Sequence, residues 1–448
     1  MSTKRTRESI IDALLTESRK QLEARLPDTP QTLDQIEEIA GKLGKEFSRE
    51  IEKQLTDPSA TPTEPKTRCT CGQFARYKGK QPRQIVTLHG VLVVRRHVYY
   101  CGKCQSSFAL HDRVLGLDSG QTTTAVRNHA AYLAALLPFA CAVTTLEMLT
   151  QITLSAASVE RIACSVGKAL RREQQTQVTA HPADRLPEPM EKKVKRLSIG
   201  MDGVFVPLRE EWQRDGAKGA LTCRYGECKL GVVYEAKPDQ AGQDAMLTSR
   251  AYTATLENAE AFGPQLATLA HQQGHHQTQD VVVLADGAAW IWQIAGKQFT
   301  QAKQIVDFYH ASQHLAQVAE ARFGENTTEG KAWLSARQAE LLDDAVETVL
   351  ANLKAWQPSN AGKKELRRTT YNSFARNAAR MRYKSFREKG YYIGSGVVEA
   401  GCKQVVTQRL KLTGMHWRQE TAEAMLALRA NQLSSQPKDL HPFCAMTH

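Results

Sequence analysis

The sequence has no uninterrupted apolar run of about 18 residues, the length that a membrane-spanning helix requires. Its opening text, MSTKRTRESIIDALLTESRK, also lacks the apolar core of a secretion signal. A cytoplasmic protein with no membrane partner is therefore expected. Acidic residues are in deficit: 47 Asp and Glu stand against 59 Lys and Arg, a formal net charge of +12. Such a surplus suits a polyanionic partner and says nothing about fold. There are ten cysteines, but four cluster and the rest are scattered. In a reducing compartment, that clustering argues for a metal rather than for disulfides. A hydrophobic fraction of 42% permits a sizeable core, and the chain length predicts roughly two to four compact units.

Residues 1–56 predict a helical region. Leu33, Ile36, Ile39, Leu43, Phe47, Ile51 and Leu55 recur at three- and four-residue steps. The stripe is expected to pack on its own protein, with self-association as the alternative. Three prolines in DPSATPTEPKT (57–67) mark a linker. Residues 68–118 then supply the cysteine quartet: Cys69 and Cys71 in RCTCGQF, and Cys101 and Cys104 in YYCGKCQSSF. Two strands joined at His89-Gly90 separate the pairs, so a hairpin can bring four thiolates into a tetrahedron. A structural, zinc-ribbon-like Zn site follows, with His89, His97 and His111 as substitute ligands; unliganded buried thiols are the plainer alternative. Residues 119–178 read as three helices with short breaks, the last opened by Ser155 or Ser158. This is either a plain three-helix bundle or a helix-turn-helix unit offering Arg161, Lys168, Arg171 and Arg172 to DNA. A second linker is expected at 179–194.

From 195 to 434 the reading turns on carboxylates in odd settings. Asp202 sits inside the strand KRLSIGMDGVFVPL, where an unpartnered buried Asp is costly. Glu210, Glu211 and Glu227 lie close enough to be alternatives to it. Asp286 emerges at the carboxyl end of the apolar strand VVVLA, where ligands of open α/β sheets commonly lie; a helix N-cap is the competing role. Asp307, His310 and His314 fall at the next strand–helix join. There Asp307 and His310 are candidates for active-site support, and packing is the favoured role for the histidine pair.

Residues 325–389 read as a helical insertion. Its second half, KKELRRTTYNSFARNAARMRYKSFREK, has ten Lys or Arg and two Glu. That is too one-sided for i,i+4 pairing to neutralise. Arg376, Arg380, Arg382, Lys384 and Arg387 are therefore expected at phosphates, with a solvated face as the alternative. Glu399 follows in GSGVVEAGCKQVVTQRLKL, a lone carboxylate on a helix, with Lys403 one turn on and Arg409 and Lys411 beyond. Three acids converging from distant sequence make an open oxygen cluster suited to Mg²⁺ or Mn²⁺. Two such ions can activate an attacking hydroxyl and stabilise a leaving oxygen in phosphodiester cleavage.

The CxCG…YYCGKC ribbon, DGVFVPLRE, LADGAAWIW, QIVDFYHASQHL and YYIGSGVVEAGCKQVVTQRLKLTGMHW together resemble bacterial insertion-sequence DDE transposases of the Kra class, over about 65–434. The resemblance implies a multidomain α+β and α/β chain with a ribonuclease-H-like catalytic core. It implies Asp202, Asp286 and Glu399 as the catalytic triad holding two Mg²⁺ or Mn²⁺ ions. It further implies cleavage at terminal inverted repeats, strand transfer into target DNA, and a nucleoid-associated bacterial protein. A homodimer or larger assembly on DNA is expected, because two element ends must be held together. The alternatives are a ribonuclease-H-like nuclease without strand transfer and an inactive, zinc-containing DNA-binding regulator. The tail at 435–448 matches nothing in the resemblance.

Overall fold

Turn chemistry and alternation set up the first sheet of the protein, which is known as a computed structural model describing residues 6–29, 31–57, 64–117, 120–181, 195–209, 223–238 and 245–445. Most of the two expected linkers (58–63 and 182–194), together with Glu210, Glu211 and the last three residues of the tail, lies outside the described residues. The chain divides into two compact units, Met1–Ala169 with Asp439–His448, and Leu170–Lys438. No helix among the described residues is long and apolar enough to cross a membrane.

In the first unit, α1 (Arg7–Arg25) and α2 (Leu33–Leu55) form a helical pair. Thr6 caps α1, and Thr32 with Gln35 forms a reciprocal capping box on α2. Neither helix buries a residue, so the apolar stripe read from the sequence stays largely open, with Leu33 and Leu55 exposed. Strands β1 (Lys66–Arg68), β2 (Phe74–Thr87), β3 (Gly90–Cys101) and β4 (Ser106–Ala109) make an antiparallel meander in that order. Thr87 pairs with Gly90 across a two-residue turn. Gly90 has φ of +119°, a conformation that favours glycine. Helices α3 (Thr124–Leu136), α4 (Phe139–Thr150) and α5 (Ala156–Ala180) follow. Ser155 accepts the Ser158 N–H at 3.2 Å and so opens α5, as its sequence position predicts. The tail returns as a short helix, His441–Ala445, packed on α3 with Phe443 and Cys444 buried.

The second unit is built on a mixed five-stranded sheet. Its strands are β5 (Arg196–Arg209), β6 (Cys223–Pro238), β7 (Ala245–Thr255), β8 (Asp280–Ala285) and β9 (Lys303–Val306), in the order β7-β6-β5-β8-β9. Strands β5, β6 and β7 pair antiparallel, whereas β8 joins β5 and β9 joins β8 in parallel. One face buries Leu197, Ile199, Met201 and Val283 against Phe262 and Leu266 of α6 (Ala259–Gln272) and Ile291 and Ile294 of α7 (Ala289–Gln298). The other buries Val282, Leu284 and Ile305 with Leu315 of α8 (Phe308–Phe323) and with the helical insertion. That insertion comprises α9 (Thr328–Leu342), α10 (Val346–Ala355), α11 (Ala361–Asn377) and α12 (Tyr383–Glu388). Each fully buried Val, Ile or Leu contributes about 1.5–3 kcal/mol, so both faces of the sheet are anchored by aliphatic burial. Two helices finish the unit, α13 (Gly396–Gly401), which continues as a π-turn over Cys402–Thr407, and α14 (Gln419–Leu433).

Candidate functional site

The four cysteines come together in the first unit. Cys69 and Cys104 sulfurs lie 3.5 Å apart, Cys71 and Cys101 sulfurs 3.6 Å apart, and all four fall within 4.8 Å of one another. A tetrahedral Zn–S₄ centre needs sulfurs about 3.8 Å apart, so the cage fits zinc. The Cys71 backbone N–H, outweighing burial, holds the Cys69 thiol down to about 6. At Cys71 the Gln73 backbone N–H is outweighed by burial and the neighbouring sulfurs, which push that thiol up to about 11. Gly72, with φ of +84°, makes the turn between the first pair and β2. The three histidines considered as substitute ligands are engaged elsewhere: His89 with Glu52 at 2.8 Å, His97 with the Tyr77 hydroxyl at 3.2 Å, and His111 with the Thr56 carbonyl at 2.9 Å.

In the second unit, Asp202, Asp286 and Glu399 line a single cavity of about 300 Å³ with Met201, His310, Gln313, Ser395 and Val398. Three elements deliver them. Asp202 sits on β5 immediately after Met201, whose pairing with Ala285 is the last between β5 and β8. Asp286 leaves the end of β8 one residue later, and Gly287, at φ of +103°, turns the chain there. Glu399 comes from α13, which can approach the sheet because β5 has Gly200 beneath it. A Cβ on Gly200 would stand 2.9 Å from Val398 Cβ. Gly401 does the same at the next turn, where a Cβ would meet Tyr252 at 2.8 Å.

Each carboxylate has local donors. Asp202 accepts the Gly203 N–H at 2.6 Å and the Cys402 thiol at 3.4 Å. Burial pushes the Cys402 thiol up, which keeps it protonated and able to donate. Asp286 accepts the Ala288 N–H at 2.9 Å and does not cap α7, whose N-cap is Ala288. Glu399 accepts the Ser395 hydroxyl at 2.8 Å. Burial, with further contributions from the charges of Asp286 and Glu399, raises Asp202 above the ordinary carboxylate range. Among the described residues, only the cysteine quartet gathers three or more metal-ligating atoms within 4.8 Å of one another. The three acids share a cavity while each is turned toward its own donor.

Asp307 supports this cavity from behind. It is fully buried, caps α8 through the His310 N–H, and accepts the Ser395 N–H at 2.6 Å. His310 pairs with His314, nitrogen to nitrogen at 3.1 Å. Burial, with His310 beside it, lowers His314, leaving it neutral. Ser395, Cys402 and Gln313 were not foreseen in the sequence. The only hint is that Ser395 and Cys402 lie four before and three after Glu399, within helical reach of it.

The basic residues divide. Arg376, Arg387, Lys403 and Lys411 are exposed, as are Arg161, Lys168 and Arg172 on α5. Arg409 corrects the expectation of DNA contact: it is buried, with its guanidinium 5.1 Å from the centre of the Trp417 ring. Arg171 also departs from it, being paired with Glu257 and lying 3.5 Å from Glu423. Arg382 pairs with Glu347, Lys384 with Asp343 at 2.7 Å, and Arg380 lies 4.6 Å over Trp292. The basic run thus finds acids outside its own helix, which i,i+4 counting does not see. Lys403 lies at the start of the π-turn that continues α13. Arg429, itself buried, clasps that turn by donating to the Val405 carbonyl at 2.6 Å and to that of Gln404.

No curated protein matches this sequence. Among solved structures, the Drosophila P element transposase strand transfer complex is similar at 8% identity. That match covers 72% of this chain and 95% of the other, with a TM-score of 0.33. A likeness at that score carries no argument about fold or activity. Residues 72–438 match the family described as Uncharacterised protein family (UPF0236), and the chain belongs to that family.

Proposed function

We propose that this protein is a DDE transposase, a metal-dependent enzyme that cuts DNA at the ends of an insertion sequence and joins those ends to target DNA. The observation that carries the reading is the shared cavity of Asp202, Asp286 and Glu399, which are 84 and 113 positions apart in the chain. We read the second unit as a ribonuclease-H-like core; its mixed sheet with helices on both faces supports this.

The donor set fits a divalent cation. It is all oxygen, and burial, with smaller contributions from the charges of Asp286 and Glu399, raises Asp202, a cost that a cation would relieve. Asp202, Asp286 and Glu399 would hold the ions, with Mg²⁺ or Mn²⁺ as the expected metal. Two bound ions would activate the attacking hydroxyl and stabilise the leaving oxygen. The chain supplies the rest. Ser395 orients Glu399, Asp307 fixes Ser395, and Cys402 fixes one oxygen of Asp202. Exposed Lys403, Lys411, Arg376 and Arg387 would hold backbone phosphates in register, which positions a duplex without reading its sequence. The zinc ribbon and the α3–α5 helices would serve DNA binding rather than chemistry, since four cysteines leave zinc no open position.

The test is nicking of duplex DNA carrying the element's own ends, in Mg²⁺. Asp202→Ala, Asp286→Ala and Glu399→Ala are each expected to abolish nicking while leaving DNA binding intact. Cleavage at the wild-type rate by any one of them removes that residue from the triad.

A further inference from the structure

Between the end of β2 and the helices α3 and α5 of the first unit lies a cavity of about 510 Å³ whose charged lining has a single sign. Its polar lining is Gln121, Thr122, Arg127, Ser158, Arg161 and Ser165, beside the buried aliphatic chains of Leu154 and Ile162. No acid is among the described residues that line it. The larger cavity beside α1 and α2 differs in this respect, for there Arg25 pairs with Glu46 and Lys53 with Glu50. Backbone contacts fix the wall at Gly120–Thr122. Val86 bridges Thr122, the Val86 N–H donates to the Gln121 carbonyl at 2.7 Å, and the Thr123 N–H donates to the Val86 carbonyl at 3.0 Å. Arg83 donates to the Gly120 carbonyl.

The two arginines have an unmet need. Arg127 is half-buried, and burial holds its guanidinium below the ordinary arginine value. Among the described residues, the one group whose charge would offset this is the Cys444 thiol. Burial pushes that thiol up to about 11, so it is neutral. Arg161, exposed at the rim, donates to the Ala157 carbonyl at 3.3 Å and to the Ser158 hydroxyl at 3.0 Å, both uncharged. Ser158 also accepts the Ser155 hydroxyl at 3.0 Å, which leaves its own proton to donate. A desolvated cation without a counter-charge is costly, and a bound anion would supply one.

Guanidinium forks with hydroxyl donors beside them suit phosphate. No aromatic ring is among the described lining residues, so a free nucleotide would find nothing for its base to stack on. A phosphodiester backbone asks only for charge and donors. The basic rim also runs on along α5, where Arg161, Ser165 and Lys168 recur at four- and three-residue steps on one side of the helix.

We propose that the cavity between β2, α3 and α5 seats one phosphate of a DNA backbone, held by Arg127 from within and by Arg161 at the rim. The proposal deepens the reading of α3–α5 as a DNA-binding element by naming its phosphate site, and it rests on that reading only for the source of the phosphate.

The test measures binding of the full chain to duplex DNA, without divalent metal, over a range of salt concentrations. Arg127→Met keeps an aliphatic stem and removes the charge. It should bind roughly tenfold more weakly at low salt, whatever the duplex sequence, as expected when a charged hydrogen bond is lost. The slope of log affinity against log salt should shrink by about 0.9, the share of one phosphate. Its Tm without DNA should not fall, because folding desolvates this charge for no gain. Arg161→Met, at the exposed rim, should flatten the slope in the same way. The proposal is overturned if wild type does not bind duplex, or if Arg127→Met binds it with wild-type affinity and slope. It is also overturned if Arg127→Met loses affinity only together with Tm while Arg161→Met loses none, which would make Arg127 a structural residue. Inorganic phosphate is the second arm. If it protects wild type but not Arg127→Met against heat, while both bind duplex equally, the site takes a free ion and the proposal fails. Nicking in Mg²⁺ is scored separately, so a wild type that binds duplex but never cuts would sink the catalytic reading alone.

Discussion

Asp307 reaches across 88 residues of sequence to accept the Ser395 N–H at 2.6 Å, while its other oxygen accepts the His310 N–H at 2.9 Å. A buried side chain with no exposure thus joins the β9–α8 corner to the segment that launches Glu399. Asp307→Asn presents an amide where two acceptor oxygens are needed. One buried N–H then loses its acceptor, at a cost of about 1–3 kcal/mol. The expected outcome is a lower Tm, with more Mg²⁺ needed for half-maximal nicking at unchanged DNA affinity. An unaltered Mg²⁺ requirement would reduce Asp307 to a purely structural role.

Gly200→Ala inserts a methyl group 2.9 Å from Val398 Cβ. Overpacking of this kind costs about 1–3 kcal/mol, and the element that must yield is α13 with Glu399. Nicking should fall further than the Tm loss alone explains. Activity that simply follows stability would show that Glu399 does not move.

The cysteine cage predicts one zinc ion per chain, measured by native mass spectrometry. Cys101→Ser should bind none and should expose 64–117 to limited proteolysis, because metal affinity and local folding are one free energy in such units. A zinc-free wild type that resists proteolysis equally would contradict the site.

Glu423 offers a pH test away from the metal ligands. It is buried, accepts Thr255 and Leu256 donors, and burial raises its carboxyl above 4.5 despite the nearby Arg171. A raised folded value means that its contribution to stability is complete below 4.5 and is lost as pH rises through the raised value. Glu423→Gln has no proton to lose, so its Tm should gain on wild type as pH rises above 4.5. A pH-independent difference would show that the network keeps Glu423 ionised throughout.

Much of the candidate site was legible because its residues break local rules. An Asp inside an apolar strand, an Asp at a strand end and a Glu among small residues each demand a partner that sequence neighbours do not supply. The cysteine pairs were legible for the same reason. The strand β7 was missed: AMLTSRAYTAT mixes small and polar residues, and its pairing with β6 is a tertiary fact. Arg409 was misjudged because its burial against Trp417 depends on chain packing that no helical wheel records, and the pairing of Arg382 with Glu347 is equally invisible there. The asymmetry is physical: unmet needs are visible in one dimension, and the groups that meet them often are not.

The π-turn over Cys402–Thr407 has a consequence for how this protein can change. A π-turn holds one residue more than the α-helix needs, and here Arg429 braces the surplus. Deleting a single residue there would let the helix rewind to ordinary α-geometry with both flanks keeping their facing, because the bulge is what absorbs the surplus. Glu399 and the basic stretch after it therefore keep their relation across the surplus residue, and what a one-codon loss would remove is the pair of carbonyls that Arg429 holds.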